Sequence, residues 1–300
     1  MDVLSPYRRE LLAHCYRMLG SVHDAEDLVQ ETMLRAWRAY DSFEGRSTLR
    51  TWLYRIATTQ CLTALAGRAR RPLPAGLGGP SDTGGQPLEV REDVPWLEPL
   101  PTADDPATIV AERESTRLAF VAALQHLTPR QRAVLILRDV LAWRAAEVAE
   151  LLDTTVAAVN SALQRARAQL AEVAPTPSDV VAPEDKRELL DRYVTAFERK
   201  DVAGIVALLA EDAVWEMPPF ATWFTGREQV ARHLTDQCPG GPGDFDFVHT
   251  EANGEPALGM YLWGKPFCLQ VLTAAGPSFT HVVSFFDDRL FTTFGLPAVC

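Results

Sequence analysis

Apolar side chains recur every three or four positions along the first sixty residues: Leu11, Leu12, Cys15, Met18 and Leu19, then Ala25, Leu28, Val29, Thr32, Ala36 and Tyr40, then Leu49, Trp52, Leu53, Ile56, Ala57 and Cys61. That period gathers them on one side of a helix and predicts three amphipathic helices packed on one another. Gly20-Ser21 parts the first two, and the loop Ser42 to Ser47 parts the second from the third, with Ser47 as the expected N-cap. The unit closes near Arg71, so residues 1–71 form a first domain. From Pro72 the period is lost in a Pro- and Gly-rich stretch, and residues 72–114 read as a linker without regular structure. Helical spacing resumes over Ser115 to Leu127, Arg130 to Leu141, Ala145 to Leu152 and Thr155 to Leu170, giving a second helical domain over residues 115–174. Thr128-Pro129 sets an N-cap followed by proline at the first helical position.

After a Pro-rich hinge (residues 175–183) the pattern changes again. A helix is predicted over Asp185 to Arg199, continuing through Ile205 to Leu209. Short apolar and aromatic runs then read as strands: Val214 to Met217, Phe245 to Thr250, Ala257 to Leu262, Phe267 to Thr273 and Thr280 to Phe286. Helices first and strands later make residues 184–300 an α+β domain, and the whole chain a multidomain protein with two all-α parts.

Composition adjusts this picture in two places. The net charge of -11 argues at first against nucleic acid. Its distribution reverses the impression: about eight Lys or Arg stand against two acids between Arg35 and Arg71, and about nine against seventeen from Glu184 onward. The second half of the linker is acidic and carries one apolar insertion, Pro95-Trp96-Leu97-Glu98-Pro99, whose tryptophan is expected to dock at a contact with another domain. The five cysteines (Cys15, Cys61, Cys238, Cys268, Cys300) are scattered and read as reduced thiols, Cys300 being the candidate for an exposed redox-sensing one. No metal ligand set and no cofactor motif is present. With no apolar run long enough to span a membrane and a polar N-terminus, the expected location is cytoplasmic, with no membrane partner.

Within Ala145 to Leu170 a short helix burying Val148, Leu151 and Leu152 meets a second burying Val156, Val159, Leu163 and Ala166, joined at Asp153-Thr154. This is the pattern of a helix-turn-helix, although plain bundles also contain it. The outer face of the second helix presents Ala157, Asn160, Ser161, Gln164 and Arg165, flanked by Arg167. Such side chains suit a major groove, where Asn and Gln pair with adenine and Arg with guanine.

Two motifs in order make the pattern specific. Asp24-Ala25-Glu26-Asp27-Leu28-Val29-Gln30-Glu31, Ala36-Trp37 and Leu49-Arg50-Thr51-Trp52-Leu53-Tyr54-Arg55-Ile56-Ala57 resemble domain two of sigma-70 family factors. Leu127-Thr128-Pro129-Arg130-Gln131-Arg132 with the helix-turn-helix resembles their domain four, and the absence of the domain between them matches the extracytoplasmic-function group. The resemblance covers residues 5 to 172. It implies an alternative RNA polymerase sigma factor, whose partners are core RNA polymerase (β′ clamp and β flap), promoter DNA and, in some members, an anti-sigma protein.

By that resemblance, Asp24, Glu26, Asp27, Gln30 and Glu31 dock on the β′ clamp helices, although carboxylates at a helix N-terminus are also favoured by its dipole. Phe43, Arg46, Arg50, Trp52, Arg55 and Gln60 meet the −10 element, with Trp52 falling on the apolar stripe and so equally a core residue. Asn160, Ser161, Gln164, Arg165 and Ala157 read the −35 element, with Thr155 and Arg167 on phosphate. Two positions depart from the family's habit: Arg144 stands where a small N-cap is common, and Asp153 where Gly is common in the turn.

Residues 184 to 300 resemble the SnoaL-like fold, a curved sheet and helices around a conical pocket. The resemblance rests on Leu190 to Leu209, Glu211-Asp212-Ala213-Val214-Trp215-Glu216-Met217-Pro218-Pro219, Trp223-Phe224-Thr225-Gly226-Arg227 and Phe294-Gly295-Leu296-Pro297. A sigma factor carrying such a domain is similar to the SigG- and SigJ-like groups. Trp215, Met217, Trp223, His249 and His281 are the candidate pocket residues, with Phe220 and Trp263 for pocket or core and Asp246 as a further titratable group. The expected role is regulatory, through docking or a small-molecule ligand, without catalysis. Two alternatives stay open: a ligand-responsive helix-turn-helix regulator, and a SnoaL-like enzyme fused to a sigma module.

Overall fold

The computed structural model describes residues 3–45, 47–82, 88–102, 115–173 and 182–300. They fall into two compact units. The first is residues 1–71 with 105–175, and the second is residues 72–104 with 176–300.

The first unit opens with α1 (Arg8–Leu19), α2 (Val22–Ala39) and α3 (Leu49–Leu65). The apolar stripes predicted from the spacing form its core, with Leu11, Cys15, Met18, Val22, Ala25, Val29, Leu53, Ala57 and Cys61 wholly buried. Gly20 ends α1 at φ 70°, a left-handed C-cap that costs glycine nothing, and Ser21 starts α2 by accepting from the Asp24 N–H. One expectation is corrected by a residue. The cap of α3 is Thr48, whose hydroxyl accepts from Thr51, because Ser47 lies one position too early for its side chain to reach the free amides.

The later helices are α4 (Leu118–Leu124), α5 (Pro129–Leu135), α6 (Ala145–Leu151) and α7 (Val156–Val173). Thr128 and Gln131 form a reciprocal capping box at the start of α5. The helix predicted to reach Leu141 instead widens to a π turn at Ile136–Val140, where the Leu141 N–H reaches back to the carbonyl of Ile136. α6 and α7 are joined by a turn in which Asp153 adopts φ 49°, the left-handed conformation that Asp tolerates. At Arg144 the side chain has no acceptor to offer, and Glu147 compensates by taking both the Arg144 backbone N–H and its guanidinium.

The second unit contains α8 (Pro183–Glu198), α9 (Val202–Ala207), α10 (Arg227–Asp236) and α11 (Arg289–Thr293) with six strands. These are β1 (Leu209–Glu216), β2 (Trp223–Thr225), β3 (Phe245–Ala252), β4 (Glu255–Leu262), β5 (Lys265–Ala275) and β6 (Ser278–Phe285). They form one sheet in the order β2-β1-β6-β5-β4-β3, antiparallel except for the β1–β6 pair. Asn253-Gly254 and Trp263-Gly264, all at positive φ, make the two tight hairpins on either side of β4. The five predicted strands are present. The short β2 and the helices α10 and α11 are additions, too brief or too polar for the apolar pattern to mark.

The stretch read as a spacer has little regular structure but is not free. Residues 72–82 and 88–102 belong to the second unit and bond to its C-terminal part. The Ser81 N–H donates to the carbonyl of Trp223, the Arg91 N–H to that of Pro219, and the Thr102 N–H to that of Glu251. Asn253 accepts the Leu100 N–H on its side chain and returns its own N–H to the Leu100 carbonyl, so the edge of β3 is covered where it would otherwise offer unpaired groups.

Candidate functional site

On α2 the apolar face is inward and the opposite face is unusual. Glu26, Asp27, Gln30 and Glu31 are exposed, and so are Leu34 and Trp37, the latter 58%. A solvated helix face has no reason to hold a leucine and a tryptophan, and their spacing continues the line of Asp27 and Gln30 along the helix. Leu34 and Trp37 were not named as site residues from the sequence, although both fall off the apolar stripe of Ala25, Leu28, Val29, Thr32 and Ala36. Asp24 is the exception among the predicted polymerase contacts. Its carboxylate is held by Arg71 at 2.7 Å and Arg68 at 2.9 Å, so it serves the first domain's own packing.

At the other end of α3, Phe43 and Trp52 lie with ring centroids 5.0 Å apart, both half-buried, presenting an aromatic pair beside the α2–α3 loop. Arg50 is tied to Glu10 at 2.7 Å and lies 4.9 Å over the Tyr54 ring. Arg55 pairs with Glu150 of α6 at 2.9 Å. Arg46 lies outside the described residues. Gln60 is corrected: it is 6% exposed and its amide donates to Thr32 on α2, so it is buried between the helices rather than presented to DNA.

On α7, Ala157, Asn160, Ser161, Gln164 and Arg165 are all exposed on one face, while Val159, Leu163 and Ala166 are buried on the other. Thr155 caps the helix by accepting from Ala158. Arg167 is exposed but engaged by both oxygens of Asp139, at 2.7 and 2.9 Å, so the predicted phosphate contact competes with an existing fork.

The two helical domains are packed together within this unit. Arg132 of α5 is 3% exposed and donates to the Met18 carbonyl at the end of α1, to the Gln125 side chain and to the Leu127 carbonyl. Burial lowers its pKa to about 10, which leaves it charged at neutral pH and dependent on those acceptors. Arg17 reaches Ser115, and Tyr54 meets Trp143 edge to face.

In the second unit a cavity of about 270 Å³ opens between the sheet and α8 and α10. Trp215, Met217 and Phe220 line it as expected. Trp223, His249 and His281 do not. Trp223 and His281 stand on the strand parity of Glu216 and Val214, opposite to Trp215, and His281 lies 3.5 Å from Glu216 there. His249 is exposed near Asp191, and Trp263 is 67% exposed in a hairpin turn. Asp246 is exposed on β3. The cavity's own histidine, His233, was missed because α10 carries no strong apolar signal. Buried and near Lys200, its pKa is pulled down to about 4, so the imidazole is neutral.

These surfaces define a two-domain transcription-initiation module with an added cone-shaped domain. The Sigma-70 region 2 family matches residues 3–71, Sigma-70 region 4 residues 117–170, and the SnoaL-like domain residues 190–288. The chain is 57% identical to the ECF RNA polymerase sigma factor SigG of Mycobacterium tuberculosis, over 97% of this chain and 82% of that one. It is 31% identical to SigJ of the same organism, over 86% and 80%. The crystal structure of M. tuberculosis SigJ shares the fold over 99% of both chains, with a TM-score of 0.66 at 24% identity. The chain belongs to the ECF RNA polymerase sigma factors, in the form that carries a C-terminal SnoaL-like domain.

Proposed function

We propose that this sigma factor engages core RNA polymerase through the outer face of α2 (Glu26, Asp27, Gln30, Leu34, Trp37), meets the −10 element through Phe43, Trp52, Arg50 and Arg55, and reads the −35 element through Asn160, Ser161, Gln164 and Arg165 of α7. The observation that carries this reading is the unburied Trp37 in line with Asp27 and Gln30, an anchor of the kind that dominates protein interfaces.

The packed helical unit is a resting state. Promoter elements about 25 base pairs apart lie roughly 85 Å apart along B-DNA at ~3.4 Å per pair. A compact unit of about 140 residues has a radius of gyration near 14 Å. It cannot reach both elements until the Arg132 and Arg55 contacts part. The linker then matters: extended, the stretch from residue 72 to 114 reaches ~150 Å at ~3.5 Å per residue, but holding residues 72–82 and 88–102 on the C-terminal domain removes most of that reach. The C-terminal domain therefore regulates the factor by keeping or releasing the tether between its two DNA-binding domains.

Among the described residues no Asp or Glu lines the cavity, and burial holds the pKa of its histidine at about 4, far below the neutral range where an acid-base catalyst works best, which supports a regulatory rather than catalytic domain. Run-off transcription with purified core polymerase tests the assignment: promoter-specific transcripts appear with the chain and not without it. A chain ending at Ala174, with no domain to hold the linker, gives more transcript per molecule. Absence of transcripts with either version contradicts the reading.

A further inference from the structure

On the face of the sheet turned away from the cavity, one carboxylate is buried with little to satisfy it. Glu216, at the end of β1, is 1% exposed; its Oε1 accepts the Ala75 N–H at 3.0 Å, and its Oε2 has no hydrogen-bond partner among the described residues. His281 on β6 stands two residues before Val283, the strand partner of Glu216, and its Nε2, also without a hydrogen bond, lies 3.5 Å from that oxygen. A buried carboxylate is tolerated as an anion only beside a cation, and as a neutral acid it needs an acceptor. One proton on the pair meets either need.

The neighbouring strands and the linker bring no other charge to this place. Val214 of β1, Trp223 and Thr225 of β2, Val283 of β6 and Val271 and Thr273 of β5 share the face with the pair, and none of them is ionisable. The linker over it, Pro72-Leu73-Pro74-Ala75-Gly76-Leu77-Gly78-Gly79-Pro80, is uncharged throughout, with Pro72, Leu73 and Pro74 buried. The stretch 95–99 joins it through the Leu97 N–H on the Pro72 carbonyl and carries Glu98, which has Arg289 at 3.8 Å, itself paired with Asp287. Among the described residues, His281 is the one cationic group within ion-pair distance of Glu216. Next to the Ala75 bond, the Trp223 indole N–H donates to the Gly78 carbonyl at 3.0 Å and the Ser81 N–H to the Trp223 carbonyl at 2.8 Å, so the linker is fastened to β1 and β2 within seven residues.

We propose that Glu216 and His281 form a proton-dependent clasp for the linker, holding residues 75–81 on β1 and β2 while the pair keeps one proton and releasing them when that proton is lost. The clasp rests on the regulatory reading given above and supplies the groups that decide whether the tether is held. With His281 protonated, the carboxylate is a charged acceptor for the Ala75 N–H, a stronger bond than a neutral one. With the proton gone, an uncompensated carboxylate stays buried only while the linker covers it, and lifting residues 75–81 gives it water. The docked state therefore binds the proton more tightly than the released state. Docking is favoured at low pH and weakens as pH rises through the range, about 5 to 8, in which an imidazole changes charge.

Hydrogen exchange by mass spectrometry on the full chain, without polymerase or DNA, tests the clasp, so a failure to initiate transcription leaves its outcome untouched. Protection is compared at about pH 6 and about pH 8 after correction for the intrinsic pH dependence of amide exchange. In the wild type the peptide holding Ala75 and Ser81 loses protection on the order of fivefold from the lower to the higher pH, while peptides of β4 do not change. Glu216→Gln, whose amide oxygen still accepts the Ala75 N–H, keeps the linker protected at both values; His281→Gln leaves it weakly protected at both. The wild-type comparison needs no substitution, so it stands even where a variant fails to fold. Equal wild-type protection at the two pH values overturns the proposal, as does a pH dependence that survives in His281→Gln.

Discussion

The Arg55 guanidinium on α3 lies 2.9 Å from the Glu150 carboxylate on α6, so a side chain of the −10-binding domain is paired with the first helix of the −35 reader. Both partners are well exposed, and an ion pair of this kind is worth at most about 1 kcal/mol. It guides closure without dominating it; the buried Arg132 contributes the larger part. Glu150→Ala is expected to leave thermal stability unchanged and to raise affinity for a single-stranded −10 oligonucleotide by about twofold to fivefold, read by fluorescence anisotropy. A loss of affinity contradicts the pairing as a restraint on Arg55.

The outer face of α2 gives the next expectation. Trp37→Ala and Gln30→Ala should each weaken binding to core polymerase, Trp37→Ala by about tenfold or more, as truncation of an interface tryptophan commonly does. Neither should lower the melting temperature, because neither side chain is buried. Asp24→Ala should do the reverse, releasing Arg68 and Arg71 and costing stability before it costs polymerase affinity.

On α7 the exposed face and its flank are expected to separate. Arg165→Ala or Gln164→Ala should cost roughly 1–3 kcal/mol of discrimination at one −35 base pair, seen as relaxed preference in transcription from promoters varied at that position. Arg167→Ala should change promoter choice by less than about threefold, because its guanidinium is already spent on Asp139.

Acid sensitivity is expected in the first domain. His14 is fully buried against Thr58, and burial, with Arg17 and Arg50 nearby, pulls its pKa from 6.5 to about 3. Below pH 6.5 the unfolded chain takes up a proton that the folded chain refuses, so stability falls from pH 6.5 toward 3 and is constant above. Between pH 7.5 and 5 the group should account for roughly 2 kcal/mol. In urea titrations the wild-type midpoint should fall further over this interval than that of His14→Gln; parallel shifts contradict the assignment.

Helical spacing carried the three first helices, the helix-turn-helix and its outward face directly, because the same period that buries Val159 and Leu163 must expose Asn160 and Gln164. It failed where a side chain's partner lies far along the chain. Nothing local to Gln60 announces Thr32, and nothing near Arg167 announces Asp139. Trp37 was legible but unused: it falls off the apolar stripe on the line of Asp27 and Gln30, and its 58% exposure follows from that spacing. In the C-terminal domain, strand existence was readable but parity was not. The β1–β6 pairing is what turns Trp215 inward and His281 away from the cavity. The linker's docking was announced only at Trp96-Leu97-Glu98-Pro99, where Leu97 is buried; its other bonds, from Ser81, Arg91, Leu100 and Thr102, reach partners far along the chain.

We infer that the two helical domains part before transcription starts. The most direct test places Arg55→Cys and Glu150→Cys in a Cys300→Ser background, joins them with a reversible bis-methanethiosulfonate linker, and follows run-off transcription with core polymerase. Transcripts are expected to fall at least tenfold while the linker is in place and to return when dithiothreitol removes it. Undiminished transcription from the joined protein would show that the packed arrangement is compatible with initiation and that the domains need not part.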